Sequence, residues 1–184
     1  MTNPIASQIA TKAKKVPMNI NRSNYITRAG WETLDKELKF LWKDERRKVT
    51  QAVSEAAAQG DRSENAEYIY GKKRLREIDR RVRFLVKRLD DLTIVYPEKQ
   101  QEGKIYFGAW VTLINEDDIE VTYRIVGPDE WDVKIGDISI DSPMARALIG
   151  KTVDDEVVVQ TPDGERVFDV VAIAYQKPEK SPKV

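Results

Sequence analysis

The sequence predicts an α+β protein, an N-terminal antiparallel α-helical coiled-coil hairpin followed by a small antiparallel β-sheet domain with one helix. Three observations predict it. Apolar residues recur at spacings of three and four from Trp31 to Leu92, the pattern of helices packed along a heptad seam. Gly60 falls near the middle of that run, where a left-handed residue stops a helix. Beyond Gly103 the pattern gives way to short alternating segments rich in β-branched and aromatic residues.

The first helix is predicted from about Thr27 to about Gln59, with Trp31, Leu34, Leu38 and Leu41 on one stripe and Val49, Val53 and Ala56 continuing it. The run KDERRK (Lys43 to Lys48) interrupts the seam. The second helix carries Tyr68, Gly71, Leu75, Ile78, Val82, Leu85, Leu89 and Leu92. At 1.5 Å per residue, about 30 residues per helix give a hairpin projecting roughly 45 Å. In the sheet domain the segments KIYF, AWVTLIN, IEVTYRIV, DISID, EVVVQT and ERVFDVVAIAY read as strands, and TPDGE as a hairpin turn. DSPMARALIG reads as a short helix with Ser142 as its cap and Pro143 in its first turn. The domain plan is a flexible tail over 1–24, the hairpin over 25–96, a linker over 97–103, the sheet domain over 104–176 and a second tail over 177–184.

The chain has no cysteine and no histidine. Disulfides, thiolate zinc sites, cysteine nucleophiles and imidazole bases are thereby excluded. Chemistry is left to carboxylates, lysines, hydroxyls or a metal ion. With 31 basic and 31 acidic residues, any electrostatic role must come from the distribution of charge. No stretch approaches the roughly 20 apolar residues of a membrane span and the N-terminus has no signal-peptide core, so a cytoplasmic protein without membrane contact is expected.

Two constellations could carry function. At the bend, GDRSEN holds Asp61 and Glu64 three residues apart. That is the spacing of a capping box, with Asp61 accepting from the new helix and Glu64 reaching back. It is also half of a magnesium site, since a small hard cation takes oxygen ligands, although two carboxylates alone bind it poorly. Position favours function: acids at the end of a projecting hairpin can be delivered deep into a partner. The second constellation is basic. Lys72, Lys73, Arg74, Arg76, Arg80, Arg81, Arg83, Lys87 and Arg88 face only two acids, Glu77 and Asp79, over the same stretch. The stretch reads either as the solvated flank of a coiled coil or, because salt-bridge lacing needs no such imbalance, as the footprint of a nucleic-acid backbone. Tyr68 and Tyr70 near the bend could stack on an unpaired base or pack on the partner helix.

The segments YITRAGWETLDKELKFLW, GDRSENAEY, KRLREIDRRVRFLVKRL, FGAWV, YRIVGPDE and ISIDSPMARALIGK, in that order from about Tyr25 to Tyr175, together resemble the Gre family of bacterial transcript-cleavage factors, in particular its GreB-type branch. The resemblance implies a coiled-coil hairpin followed by an FKBP-like domain. It implies an accessory factor rather than an enzyme, whose hairpin enters the secondary channel of bacterial RNA polymerase. There Asp61 and Glu64 would help hold a catalytic Mg2+ jointly with the polymerase, which cleaves its own backtracked RNA. The basic residues from Lys72 to Arg88 would hold the nascent RNA 3′ segment, and Asp141, Ser142, Pro143, Met144 and Arg146 would grip the rim of the channel. A monomer is expected. Alternatives are a non-cleaving regulator of the same channel and a peptidyl-prolyl isomerase or chaperone-like binding protein. The chain departs from the GreB-type pattern at Glu67, often Asp, at Gly71, often Asn, and near Arg47, often Pro. A glycine inside a helix costs about 1 kcal/mol against alanine, so Gly71 is expected to loosen the hairpin.

Overall fold

The computed structural model describes residues 22–59, 64–96, 103–161 and 164–178. The tail expected over 1–24 thus lies almost entirely outside the described residues, as do most of the linker, the centre of the TPDGE turn and the last six positions. The chain divides into two compact units. One is the hairpin, Trp31–Leu92; the other joins the described residues up to Gly30 to those from Thr93 onward.

In the hairpin, helix α1 (Arg28–Phe40) passes through a five-residue π turn, Leu41–Glu45, into helix α2 (Arg46–Ala58). Helix α3 (Ala66–Asp91) returns. Leu34, Leu38, Leu41 and Ala56 are buried on one strand of the hairpin and Ile78, Val82, Leu85 and Leu89 on the other, as the heptad pattern predicts. The π turn answers the interruption seen in the sequence. Counting the half-buried Glu45, the inward positions run 34, 38, 41, 45, 49, 53, 56, which is one residue more than a 3.5-residue repeat allows between Leu41 and Ala56. A single wider turn, with Arg46 N–H donating to the Leu41 carbonyl, absorbs the extra residue and returns Val49 and Val53 to the partner helix. Residue 47 is arginine, so no proline is needed to produce the irregularity.

Gly71 also behaves differently from expectation. A Cβ there would collide with Cγ2 of Val53 on the facing helix. The glycine therefore permits close helix approach and does not simply weaken α3.

The second unit is a five-stranded sheet in the order β5-β4-β3-β7-β6, with β3 Trp110–Asn115, β4 Glu120–Val126, β5 Asp137–Ser139, β6 Glu156–Thr161 and β7 Gly164–Ala174. It is antiparallel except for the β4–β5 pair, which is parallel because residues 127–136 carry the chain back before β5 begins. One residue, Val171, bulges out of the β3–β7 ladder, where Thr112 faces Ala172 and Leu113 faces Val170. Ile105, Val111, Leu113, Ile125, Leu148, Val157 and Phe168 form the core beneath helix α4 (Pro143–Leu148). KIYF, expected as a strand, is a loop whose Ile105 N–H donates to the Lys151 carbonyl at 2.9 Å.

A feature not legible in the sequence is the two-residue parallel pair of β1 (Tyr25–Ile26) with β2 (Thr93–Ile94). The Glu130 carboxylate fixes the chain just after β1. It accepts from the backbone N–H groups of Thr27 and Gly127, each at 2.8 Å, and from the Thr27 hydroxyl. Thr27 Oγ1 in turn accepts from Gly30 N–H at 3.1 Å and caps α1.

Candidate functional site

The bend is closed by Asn65. Its backbone is extended at φ −83° and ψ 101°, and its Oδ1 accepts from Tyr68 N–H at 3.2 Å, so Asn65 is the N-cap of α3. Its Nδ2 donates to the Ala56 carbonyl at 2.9 Å, a second donor there beside the Gln59 N–H at 3.2 Å that closes α2. One side chain thus serves both helix ends. The capping box expected of Asp61 and Glu64 is displaced by this arrangement, because α3 begins at Ala66 and Glu64 precedes its cap. Glu64 is exposed. Asp61, with Gly60, Arg62 and Ser63, lies outside the described residues. No group of three or more acidic side chains that could hold a metal occurs among the described residues. As one exposed carboxylate Glu64 suits a hard cation as a single donor.

The basic constellation is sorted by its surroundings. Arg81 pairs through two nitrogens with both oxygens of Glu37 at 2.7 and 2.8 Å. Arg74 pairs with Glu45 at 3.2 Å and with Glu77 at 3.5 Å. Both are flank residues bridging the two helices. Arg88 is only 2% exposed and is withdrawn from any outer face. Lys72, Lys73, Arg76, Arg80, Arg83 and Lys87 are exposed. Of these, Lys72, Arg76, Arg80, Arg83 and Lys87 fall within about 80° of arc at 3.6 residues per turn, on the side away from the seam. Arg83 also donates to the Asp79 carbonyl at 3.1 Å. Asp79 itself is engaged by Arg46 at 2.8 Å, so its charge is spent across the hairpin and not along this lane.

In the segment expected to grip a partner, Ser142 caps α4 by accepting from Ala145 N–H at 3.1 Å, with Pro143 at the first helical position, as the sequence predicts. Asp141 accepts from Ser23 N–H at 2.9 Å, and Met144 packs against the core. Pro143 and Arg146 are the exposed members of the five. Sequence reasoning missed Asn65. The available signal was its position directly before the first helical residue, overshadowed by Gly60 and by the two acids.

Against known families, residues 24–94 match the N-terminal model of the transcription elongation factor GreA/GreB family and residues 100–175 match its C-terminal model. The chain is 66% identical over 155 residues to transcription elongation factor GreB of Yersinia pestis, covering 84% of this chain and 91% of that one. It is 67% identical over 156 residues to GreB of Pasteurella multocida, covering 85% and 99%. Among solved structures it is similar to GreA factor homolog 1 (Gfh1) of Thermus thermophilus, at 28% identity over 83% of this chain and 99% of that one, with a TM-score of 0.38. The chain belongs to the GreA/GreB family of transcription elongation factors and, within it, to the GreB type.

Proposed function

We propose that this elongation factor inserts its hairpin into the secondary channel of bacterial RNA polymerase and stimulates the polymerase's Mg-dependent cleavage of backtracked nascent RNA, rescuing arrested complexes. The observation that carries this reading is the division of labour at the bend. Asn65 performs the capping, so the exposed Glu64 is free to act as a ligand. Asp61 joins it by the family resemblance. In this reading the chain is an accessory factor, with Asp61 and Glu64 as two of several ligands and the polymerase supplying the rest. Held by Asp61 and Glu64 with the polymerase's ligands, a magnesium ion would supply electrostatic stabilisation of the reacting oxygens and activation of water. The exposed lane of Lys72, Arg76, Arg80, Arg83 and Lys87, with Lys73 beside it, holds the phosphates of the extruded RNA. Pro143 and Arg146 are the members of the α4 segment open to a contact with the channel rim.

The test is to add the full chain to stalled, backtracked elongation complexes with magnesium and to follow the RNA 3′ ends. Shortening is expected with the parent. Glu64→Gln should abolish it while still competing with the parent for the polymerase, and extra magnesium should partly restore the rate. A Glu64→Gln protein that cleaves as well as the parent at limiting magnesium would remove Glu64 from the metal site.

A further inference from the structure

Tyr70 is 70% exposed and Ile69 beside it 50% exposed, on the first turns of α3. They are the large apolar side chains presented nearest the bend among the described residues. Tyr68 differs. It is half-buried and its N–H is engaged by the Asn65 cap. The segment that carries the pair is firmly placed, because Ile69 N–H donates to the Asn65 carbonyl at 3.1 Å while Asn65 is tied to Ala56. One turn farther along stand the exposed cations Lys72 and Lys73, and the basic lane continues from them.

We infer that the exposed ring of Tyr70 is a shelf on which an unpaired base near the 3′ end of the backtracked RNA stacks. This rests on the cleavage reading above and adds a contact to the base, where the lane contacts only phosphates. Three features point to a nucleotide. An aromatic face accepts any base, which suits a factor that must act on whatever sequence has been extruded. Cations one turn away, about 4.5 Å along the axis from Tyr70 to Lys73 at 1.5 Å per residue, can take the phosphate of the nucleotide whose base is stacked. The exposed ring has a lysine, Lys73, as its neighbour on the next turn, whereas the core of a protein–protein contact is depleted of lysine. Tyrosine also loses little conformational freedom on stacking, since only two torsions are fixed.

The experiment uses full-length protein and backtracked complexes carrying either an intact RNA or one whose 3′ nucleotide lacks its base. Tyr70→Ala is expected to slow cleavage of the intact RNA about tenfold, the size of one base–aromatic stack. Tyr70→Phe and Tyr70→Trp should retain the parent rate. On the RNA without the base, parent and Tyr70→Ala should cleave at the same rate, and competition for the polymerase should be unaltered throughout. An alanine variant as fast as the parent on intact RNA would overturn the inference while leaving the cleavage reading in place. A defect that persists undiminished without the base, or that weakens competition for the polymerase, would overturn it in favour of a contact with the channel wall. A parent that shortens no RNA would overturn both.

Discussion

Asn65 and Ala56 are joined across the bend by a side-chain amide to backbone carbonyl hydrogen bond of 2.9 Å, and the same asparagine caps α3 through Tyr68 N–H. One residue therefore touches both helix ends, capping α3 and adding a bond at the end of α2. Asn65→Ala should cost about 1 kcal/mol, mostly the lost cap, because the Ala56 carbonyl keeps Gln59 N–H as a donor at 3.2 Å. Asn65→Asp keeps the capping oxygen but loses the donor, so its cost should be smaller. Urea unfolding of the three proteins tests the order, and amide exchange at Tyr68 and Ile69 should report the loss locally.

How much of this was legible in the sequence differs between the two units. The hairpin was legible because burial of Leu38, Ile78, Val82 and Leu85 follows from a repeat that only paired helices can satisfy. The π turn was visible only as an interruption, since periodicity reveals that the seam fails at KDERRK without telling how the backbone repairs it. The sheet strands were legible by alternation, but the parallel β4–β5 pair was not, because side-chain period is the same in either pairing direction. β1 and β2 are two residues each, too short to show any period. At the candidate site, the types of residue were readable and their engagements were not. Arg81 and Arg80 are adjacent in sequence, yet the first is committed to Glu37 and the second lies in the outer lane.

Gly71 supplies a sharp test of packing against propensity. Alanine would gain about 1 kcal/mol of helix propensity, but its methyl would meet Val53 Cγ2, and a β-branched side chain has few alternative rotamers in a helix. Overpacking of this kind typically costs 1–3 kcal/mol. Gly71→Ala should therefore be neutral to destabilising by about 2 kcal/mol, while Gly71→Ala combined with Val53→Ala should be more stable than the two separate changes add up to. Additive thermal unfolding data would mean that the helices do not approach closely here.

The basic lane should act through phosphates. Five contacts to single-stranded RNA give a slope of log affinity against log salt near −3.5, at about −0.7 per contact. Arg76→Gln, Arg80→Gln and Arg83→Gln together should flatten it by about 2 without loss of helicity. The buried Arg88 should behave oppositely: Arg88→Gln should lower stability and leave the slope of the surviving folded protein unchanged. Crosslinking of the RNA 3′ segment over a salt series measures both.

Asp137 gives a pH prediction with a definite sign. It is 7% exposed, its Oδ1 has no hydrogen-bond partner and neither does the nearby Arg124 Nε. Burial raises its pKa above the usual carboxylate value; Arg124 opposes this, Glu130 and Asp132 reinforce it and Lys177 opposes it weakly. Because the folded protein holds this proton more tightly than the unfolded chain, the contribution of Asp137 to stability is fully present below the unfolded pKa of about 3.9 and is lost as pH rises through the folded value. At neutral pH the buried charge is a burden that Arg124, held over the Trp110 ring at 5.4 Å, only partly offsets. Asp137→Asn removes the charge and keeps the shape. The variant should therefore be more stable than the parent at pH 7, and the gap should close as pH falls toward about 3.5. Urea unfolding followed at strands β3 to β5 by amide exchange across that range is the measurement. A gap that is constant with pH, or that favours the parent at neutrality, would show that the attraction of Arg124 outweighs the cost of burial.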